Sequence, residues 1–125
     1  MEKVFTPNAP KPGGHYSQAV IHNGTVYVAG QLPIDPATGE KKLGSIEEQT
    51  RQVLQNLAAI LTAAGSDMTE VIKTTVYISD VSLWSEVNQI YAEFFGEHRP
   101  ARSVVPTKEL HFGFQIEIEA IAALK

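Results

Sequence analysis

The chain has 125 residues, 43% of them hydrophobic and 19% charged, with a net charge of −4 at pH 7 and no cysteine. These values predict one folded domain over residues 1–125 and exclude a disulfide framework, a thiolate nucleophile and a cysteine-ligated metal. The negative charge also argues against a nucleic-acid binder. No run approaches the ~18 apolar residues of a membrane-spanning helix, and the N-terminus lacks the apolar run of a signal peptide, so we expect a cytoplasmic protein with no membrane partner.

The N-terminal part of the chain predicts an irregular segment followed by a hairpin. Residues 7–14 are rich in proline and glycine, and proline is excluded from helix interiors and central strands. Strands are predicted over residues 16–22 and 25–31. Between them, Asn23-Gly24 is the preferred dipeptide of a type I′ turn, because both central residues need positive φ.

A first helix is predicted to begin after Ser45 and to end at Gly65. Ser45 and Glu48 have the spacing of a capping box, and glycine readily adopts the left-handed conformation that ends many helices. The apolar residues of one helix face recur at the expected interval of 3.6 residues: Val53, Leu57, Ile60, Leu61 and Ala64.

The second half of the chain alternates strands with one more helix. Strands are predicted over residues 73–79, 103–107 and 115–124, and a helix over about residues 82–95. The apolar stripe of that helix comprises Trp84, Val87, Tyr91, Phe94 and Phe95. The order β-β-α-β-α-β-β predicts an α+β fold in which both helices pack on one face of a mixed sheet.

The last strand has two faces of different character. One face is apolar and suits contact with the helices: Ile116, Ile118, Ala120 and Ala122. The other face mixes acids with apolar residues: Glu117, Glu119, Ile121 and Ala123. Such a mixture is consistent with cover by another subunit, and an ordinary solvent face with one isoleucine is the alternative.

Arg102 is a candidate anion-binding residue. It follows Pro100, which restricts the backbone, and it immediately precedes a predicted strand. A guanidinium anchored in this way presents paired donors that match a carboxylate. The alternative is an ion pair, for example with Glu117 or Glu119, and spacing alone favours that alternative.

The four histidines do not form a recognisable metal site. None of them has metal-ligand spacing to another histidine or to an acid on a helix. We expect His22 and His98 to be exposed. His15 and His111 lie among glycines and remain candidates for a site.

Several motifs follow one another along almost the whole chain: Gly14-His15-Tyr16-Ser17-Gln18-Ala19, Ala29-Gly30-Gln31, Asn88 with Tyr91 and Phe94-Phe95, Pro100-Ala101-Arg102-Ser103, and Ile116-Glu117-Ile118-Glu119-Ala120-Ile121-Ala122. In this order they resemble the RidA/YjgF family of reactive-intermediate (enamine/imine) deaminases, also called the L-PSP endoribonuclease family. The resemblance implies a chorismate-mutase-like subunit in a homotrimer around a central β-barrel, with each active site between neighbouring subunits.

The same resemblance implies a reaction without a metal or an organic cofactor. Members hydrolyse 2-iminobutanoate and 2-iminopropanoate, which arise from pyridoxal-phosphate enzymes such as serine/threonine dehydratases, to 2-oxo acids and ammonia. The partner molecule would therefore be a small 2-imino or 2-oxo carboxylate.

By position, the resemblance implies a role for individual residues. Arg102 would bind the substrate carboxylate, and Glu117 would position the attacking water and transfer protons. The implied substrate-binding residues are Tyr16, Ala29, Gly30, Asn88 and Val104. Ala29 and Val104 depart from the family pattern, which often has serine and cysteine at these positions.

Other departures lie in two loops. His15 and His111 stand where the family usually has proline, and His111 is followed by Phe112, Gly113 and Phe114. One hypothesis is that His15, His111 and the two phenylalanines reshape the mouth of the pocket for a bulkier or different substrate. Neutral loop replacement is the alternative, and the sequence alone favours it.

Two functions of other classes compete with imine hydrolysis. A regulatory binder of 2-oxo acids would need Arg102 but not Glu117. Cleavage of single-stranded RNA, an activity reported for the family, is disfavoured by the negative charge and by the lack of a groove that combines aromatic and basic residues.

Overall fold

Six strands form one mixed sheet, and two helices pack on one of its faces. The computed structural model describes all 125 residues. In chain order the elements are β1 (Glu2–Val4), β2 (Ala19–His22), β3 (Thr25–Gln31), α1 (Ile46–Ala64), β4 (Val71–Ile78), α2 (Trp84–Phe95), β5 (Ala101–Pro106) and β6 (Ile116–Ala123). The strand order is β1-β2-β3-β6-β4-β5, and the β4–β5 pair is parallel while the others are antiparallel. This arrangement confirms the expected α+β class.

Local sequence signals set the turns and the helix ends as expected. Asn23 and Gly24 have φ angles of 51° and 76°, so the hairpin between β2 and β3 has two central residues with positive φ. Ser45 caps α1, because its Oγ accepts a hydrogen bond from the Glu48 N–H at 3.1 Å. Gly65 ends α1 in the left-handed conformation at φ 87°.

Five details differ from the predictions. β2 begins at Ala19 rather than at residue 16, and the short strand β1, which pairs with β2, was not predicted. The predicted start of the second helix is a 3-10 turn over Val81–Leu83, and Trp84 at the start of α2 is 43% exposed rather than part of the core. His98 is half-buried rather than exposed, because its Nε2 donates to the Val71 carbonyl at 2.7 Å.

The hydrophobic core lies between the helices and one face of the sheet. The predicted inner face of β6 is confirmed: Ile116, Ile118, Ala120 and Ala122 are all buried. Against it pack the fully buried α1 residues Val53, Leu54, Leu57, Ile60 and Leu61. Burial of each large aliphatic side chain contributes about 1.5–3 kcal/mol, so this layer is the main source of stability.

The opposite face of the sheet carries both polar and apolar side chains that are only partly buried. Glu117 and Ile121 of β6 are half-buried, whereas Tyr27 of β3 is 47% exposed and Val105 of β5 is 37% exposed. Both helices pack on the other face. No helix of the chain combines the length and the apolar character that a membrane span requires.

The cap of α1 provides a test of the fold. Replacing Ser45 with alanine removes the acceptor for the Glu48 N–H, and we expect the free energy of unfolding to fall by about 1 kcal/mol. Urea denaturation at one fixed protein concentration measures the change. As a matched control, Ser85→Ala on the exposed side of α2 should stay within about 0.5 kcal/mol of the wild type. Equal effects of the two substitutions would contradict the capping role.

Candidate functional site

Arg102 lies in a pocket of about 480 Å³ between β5 and α2. Its Nη1 donates a hydrogen bond to Asn88 Oδ1 at 2.9 Å, and its guanidinium carbon lies 4.8 Å from the centre of the Tyr91 ring. Asn88 and Tyr91 are three residues apart on α2 and therefore share one helix face. A cation over an aromatic face is attracted to the ring, so the Asn88 hydrogen bond and the Tyr91 ring together fix the position of the guanidinium.

The side chain of Tyr91 is itself held by a hydrogen bond to the sheet. Its hydroxyl shares a hydrogen bond of 2.7 Å with Oγ1 of Thr74, a fully buried residue of β4. Burial raises the pKa of the Tyr91 hydroxyl, while the hydrogen bond with Thr74 and the charge of Arg102 act in the opposite direction. The chain of contacts from Thr74 through Tyr91 gives Arg102 a rigid platform.

Arg102 forms no ion pair within the chain, so the alternative of an ion pair with Glu117 or Glu119 is wrong. The three ion pairs are Lys42–Glu40, Arg51–Glu93 and Lys125–Asp67. The sheet register explains the difference. Arg102 is level with Thr74 on the helix-covered face, whereas Glu117 is level with Tyr77, three positions along β4 and therefore on the opposite face.

Glu117 lies in a second pocket, of about 470 Å³, on its own side of the sheet. The pocket is bounded by the loop before β2, the end of β3 and the loop before β6. The predicted site residues that line it are Tyr16, Ala29, Gly30, His111, Phe112 and Glu117. Tyr16 is anchored there through its hydroxyl, which accepts a hydrogen bond from the Gly13 N–H at 3.3 Å.

A β-bulge brings the backbone of β3 close to Glu117. Val28 is level with Ala120 of β6 and Gln31 with Ile118, so β3 has one extra residue in this interval. Gly30 lies within the bulge, and a Cβ atom on it would overlap the Glu117 Oε2 atom. The absence of a side chain at Gly30 therefore lets the Glu117 carboxylate lie directly against β3.

The environment of Glu117 favours its protonated form. The side chain is half-buried and has no ion pair within the chain. Burial raises the pKa of the carboxyl, the negative charge of Glu119 adds to this increase, and His111 opposes it. A carboxyl with a raised pKa can both accept and donate a proton nearer to neutral pH.

The loop before β6 holds an aromatic ring in an unusual position. Phe112 has φ 59°, in the left-handed region that side chains rarely adopt, and it is 60% exposed. Its ring meets that of Phe114 edge-on at 5.8 Å between centroids. Phe114 itself is buried and only Phe112 lines the pocket, while an effect of either ring on the substrate stays a prediction.

The predicted site residues thus fall into two groups within one chain. Arg102 and Asn88 share one pocket, and the Glu117 group occupies the other. His15 is exposed and Val104 packs against the core, and neither lines either pocket. A contribution of these two residues to a site stays a prediction.

Sequence reasoning missed two contributors. The contact of Tyr91 with Arg102 could have been inferred from its spacing to Asn88 on the predicted helix. Lys41, which also lines the Glu117 pocket, lies in a loop without any pattern that indicates its position. No group of three or more histidine, aspartate or glutamate side chains is placed to hold a metal ion.

The fold and the pockets define a small α+β protein in which an unpaired arginine and a half-buried carboxylate line separate pockets. The family model described as Endoribonuclease L-PSP matches residues 6–124. The chain therefore belongs to this family, which also bears the names RidA and YjgF.

Individual relatives cover nearly all of the chain. A RutC family protein of Pyrococcus horikoshii is 53% identical over 97% of this chain and 96% of its own length. The human 2-iminobutanoate/2-iminopropanoate deaminase is 42% identical over 95% of this chain and 87% of its own.

Solved structures agree with the fold. RidA from the Antarctic bacterium Psychrobacter is 37% identical, with a TM-score of 0.95 over 99% of this chain and all of its own. E. coli TdcF with bound serine is also 37% identical, with a TM-score of 0.95 over the whole of both chains.

The electrostatic account of Glu117 predicts a pH titration. We expect the pKa of the Glu117 carboxyl to be higher in His111→Gln than in the wild type, because the imidazole charge that lowers it is gone. Carbon-detected NMR of the side-chain carboxyl measures both values. His22→Gln, at the end of β2, serves as the control and should leave the titration unchanged. Equal pKa values in the wild type and in His111→Gln would contradict the account.

Proposed function

We propose that the protein hydrolyses small 2-imino acids, such as 2-iminobutanoate and 2-iminopropanoate, to 2-oxo acids and ammonia. The observation that carries the proposal is the pair of prepared groups: a rigid arginine without an acidic partner and a half-buried carboxylate with a raised pKa. Such a pair provides the two functions that imine hydrolysis needs, which are orientation of a carboxylate and proton transfer.

The two groups would meet between subunits. Within one chain, Arg102 and Glu117 project from opposite faces of the sheet, so a four-carbon acid could not contact both. In a homotrimer, Arg102 of one subunit would face the Glu117 pocket of the next. The partly exposed, mixed face with Tyr27 and Val105 supports such an association, because subunit interfaces commonly combine aromatic residues with polar ones.

Arg102 would bind the α-carboxylate of the substrate. One N–H of its guanidinium is used by Asn88, and other donors remain for a ligand. The fixed position over Tyr91 means that little rotational freedom remains to be lost on binding. The role of Asn88 is to orient the arginine, which accounts for its place in the site.

Glu117 would carry the proton transfers. In this mechanism the carboxylate orients a water molecule and takes its proton as the oxygen adds to the electrophilic imine carbon. The same carboxyl then returns this proton to the amino group of the tetrahedral intermediate. As the C–N bond breaks and ammonia leaves, the hydroxyl group gives its remaining proton to the Glu117 carboxylate, and the C=O bond of the 2-oxo acid forms. A raised pKa suits this double role, because the group must accept a proton in one step and donate it in the next.

Two comparisons support the proposal. Human, rat, bovine and goat relatives named as 2-iminobutanoate/2-iminopropanoate deaminases are 42–44% identical over 95% of the chain. The TdcF structure contains serine, which carries an α-carboxylate and an α-nitrogen as a 2-imino acid does. The RutC family name of the more similar relatives specifies no reaction, so a non-catalytic binder of 2-oxo acids is the alternative to test.

Coupling the protein to a threonine dehydratase tests the activity. We expect the wild type to accelerate release of 2-oxobutanoate above the spontaneous rate. Arg102→Lys keeps the charge but loses the planar fork, and should lower kcat/KM about 10- to 100-fold. Arg51→Lys is the matched control, since Arg51 is exposed on α1 and lines neither pocket, and it should remain within about twofold.

Glu117→Gln separates the enzyme from the binder. An enzyme should lose about 10²- to 10⁴-fold in rate while still binding 2-oxobutanoate. No acceleration by the wild type, or an equal rate with Arg102→Ala, would overturn the enzymatic function. Binding of 2-oxobutanoate without acceleration would favour the regulatory alternative.

A further inference from the structure

The Glu117 pocket contains positive charge that imine hydrolysis of a simple substrate does not use. Lys11 and Lys41 line it, and neither forms an ion pair within the chain. The chain as a whole is acidic, with a net charge of −4. Two ammonium groups without an acidic partner at one pocket therefore create a local field that attracts anions.

Lys41 is the better positioned of the two. Its backbone pairs with Ile34 in an isolated antiparallel bridge, which fixes where the side chain starts. Its Nζ lies 4.8 Å from the centre of the Phe112 ring, within the range of a cation–π contact. The adjacent Lys42 differs, because Glu40 compensates its charge at 3.4 Å.

Phe112 provides the support for this ammonium group. The left-handed backbone of Phe112 and the edge contact with buried Phe114 hold the ring at the pocket wall. The Lys41 ammonium group thus contacts the Phe112 ring and has no acid within ion-pair distance. An anionic group in the pocket would supply the missing partner.

We propose that the site accepts 2-imino acids whose side chain carries a second carboxylate, and that Lys41 binds this second carboxylate. The proposal rests on the function proposed above, in which Arg102 binds the α-carboxylate and Glu117 acts at the imine carbon. A dicarboxylic substrate has one further anionic group, and Lys41 is the unpaired cation of this pocket whose ammonium group lies over the Phe112 ring. The pocket volume of about 470 Å³ leaves room for a longer side chain.

The reaction remains a simple hydrolysis. Water adds to the imine carbon, the C–N bond breaks, and the products are ammonia and a 2-oxo dicarboxylate. No oxidant, reductant or further reactant is consumed. The imine itself would come from an enzyme that oxidises the amino group of an acidic amino acid.

Paired substrates and paired lysine variants test this proposal. The substrates are 2-iminoglutarate and 2-iminopentanoate, which have the same number of carbons and differ in the second carboxylate. Each is generated in the assay by a flavin amino-acid oxidase. The measured quantity is the ratio of kcat/KM for the dicarboxylic substrate to that for the monocarboxylic one.

Lys41→Met keeps an unbranched side chain and removes the charge, so the ratio should fall about three- to tenfold, which is the size expected for one partly exposed charge pair. Lys42→Met makes the same change in net charge at the compensated neighbour and should leave the ratio unchanged. Added salt should lower the wild-type ratio towards that of Lys41→Met, because it screens exposed charges. Phe112→Leu, which keeps apolar bulk but removes the ring, should lower the ratio by a smaller factor.

An unchanged ratio in Lys41→Met, or an equal fall in Lys42→Met, would overturn the proposal. Calorimetric binding of 2-oxoglutarate and 2-oxopentanoate separates this result from failure of the deaminase function, because binding needs no turnover. A fall in the binding ratio in Lys41→Met alone would support the charge selectivity even for a protein without catalysis. The wild type could accelerate 2-iminobutanoate hydrolysis while both the kcat/KM ratio and the binding ratio stay unchanged in Lys41→Met. That result would overturn this inference and leave the deaminase function supported.

Discussion

The alternation of side chains across a β-sheet is the constraint on which the account of the site depends. Arg102 is level with Thr74 and Glu117 with Tyr77, so the register places the two candidate functional groups on opposite faces of the same sheet. No change of rotamer brings them together around a small acid. A reaction that needs both groups therefore needs two copies of the chain, and association becomes part of the chemistry rather than an addition to it.

The two faces of the sheet position Arg102 and Glu117 in different ways. On the covered face, a buried hydroxyl of Thr74 fixes Tyr91, and the ring and Asn88 fix the arginine. On the open face, a bulge and the absence of a side chain at Gly30 make room for the Glu117 carboxylate. The cation is thus held by packed structure, while the acid lies half-buried at an open surface where its pKa is raised. Side chains that are preorganised in this way need little rearrangement when a ligand binds, which reduces the entropic cost of binding.

Much of the fold was predictable because local signals and the hydrophobic pattern agree. Each correct prediction depends on residues that are close together in the sequence. Examples are the Asn23-Gly24 turn, the cap at Ser45 and the two faces of β6. The site was less predictable because its geometry depends on sheet order. Spacing favoured an ion pair for Arg102, and only the register of three strands excludes it. Lys41 was missed because a loop residue has no periodicity from which its position could be inferred.

Complementation between two inactive variants tests the central claim most directly. Arg102→Ala and Glu117→Gln chains are unfolded together, refolded as an equal mixture and assayed for 2-oxobutanoate release. If each site takes Arg102 from one subunit and Glu117 from the next, about a quarter of the sites in randomly mixed trimers regain both groups, and activity returns to a similar fraction of the wild type. Each variant refolded alone should remain inactive. No recovery in a mixture shown by mass spectrometry to contain mixed oligomers would contradict a site shared between subunits.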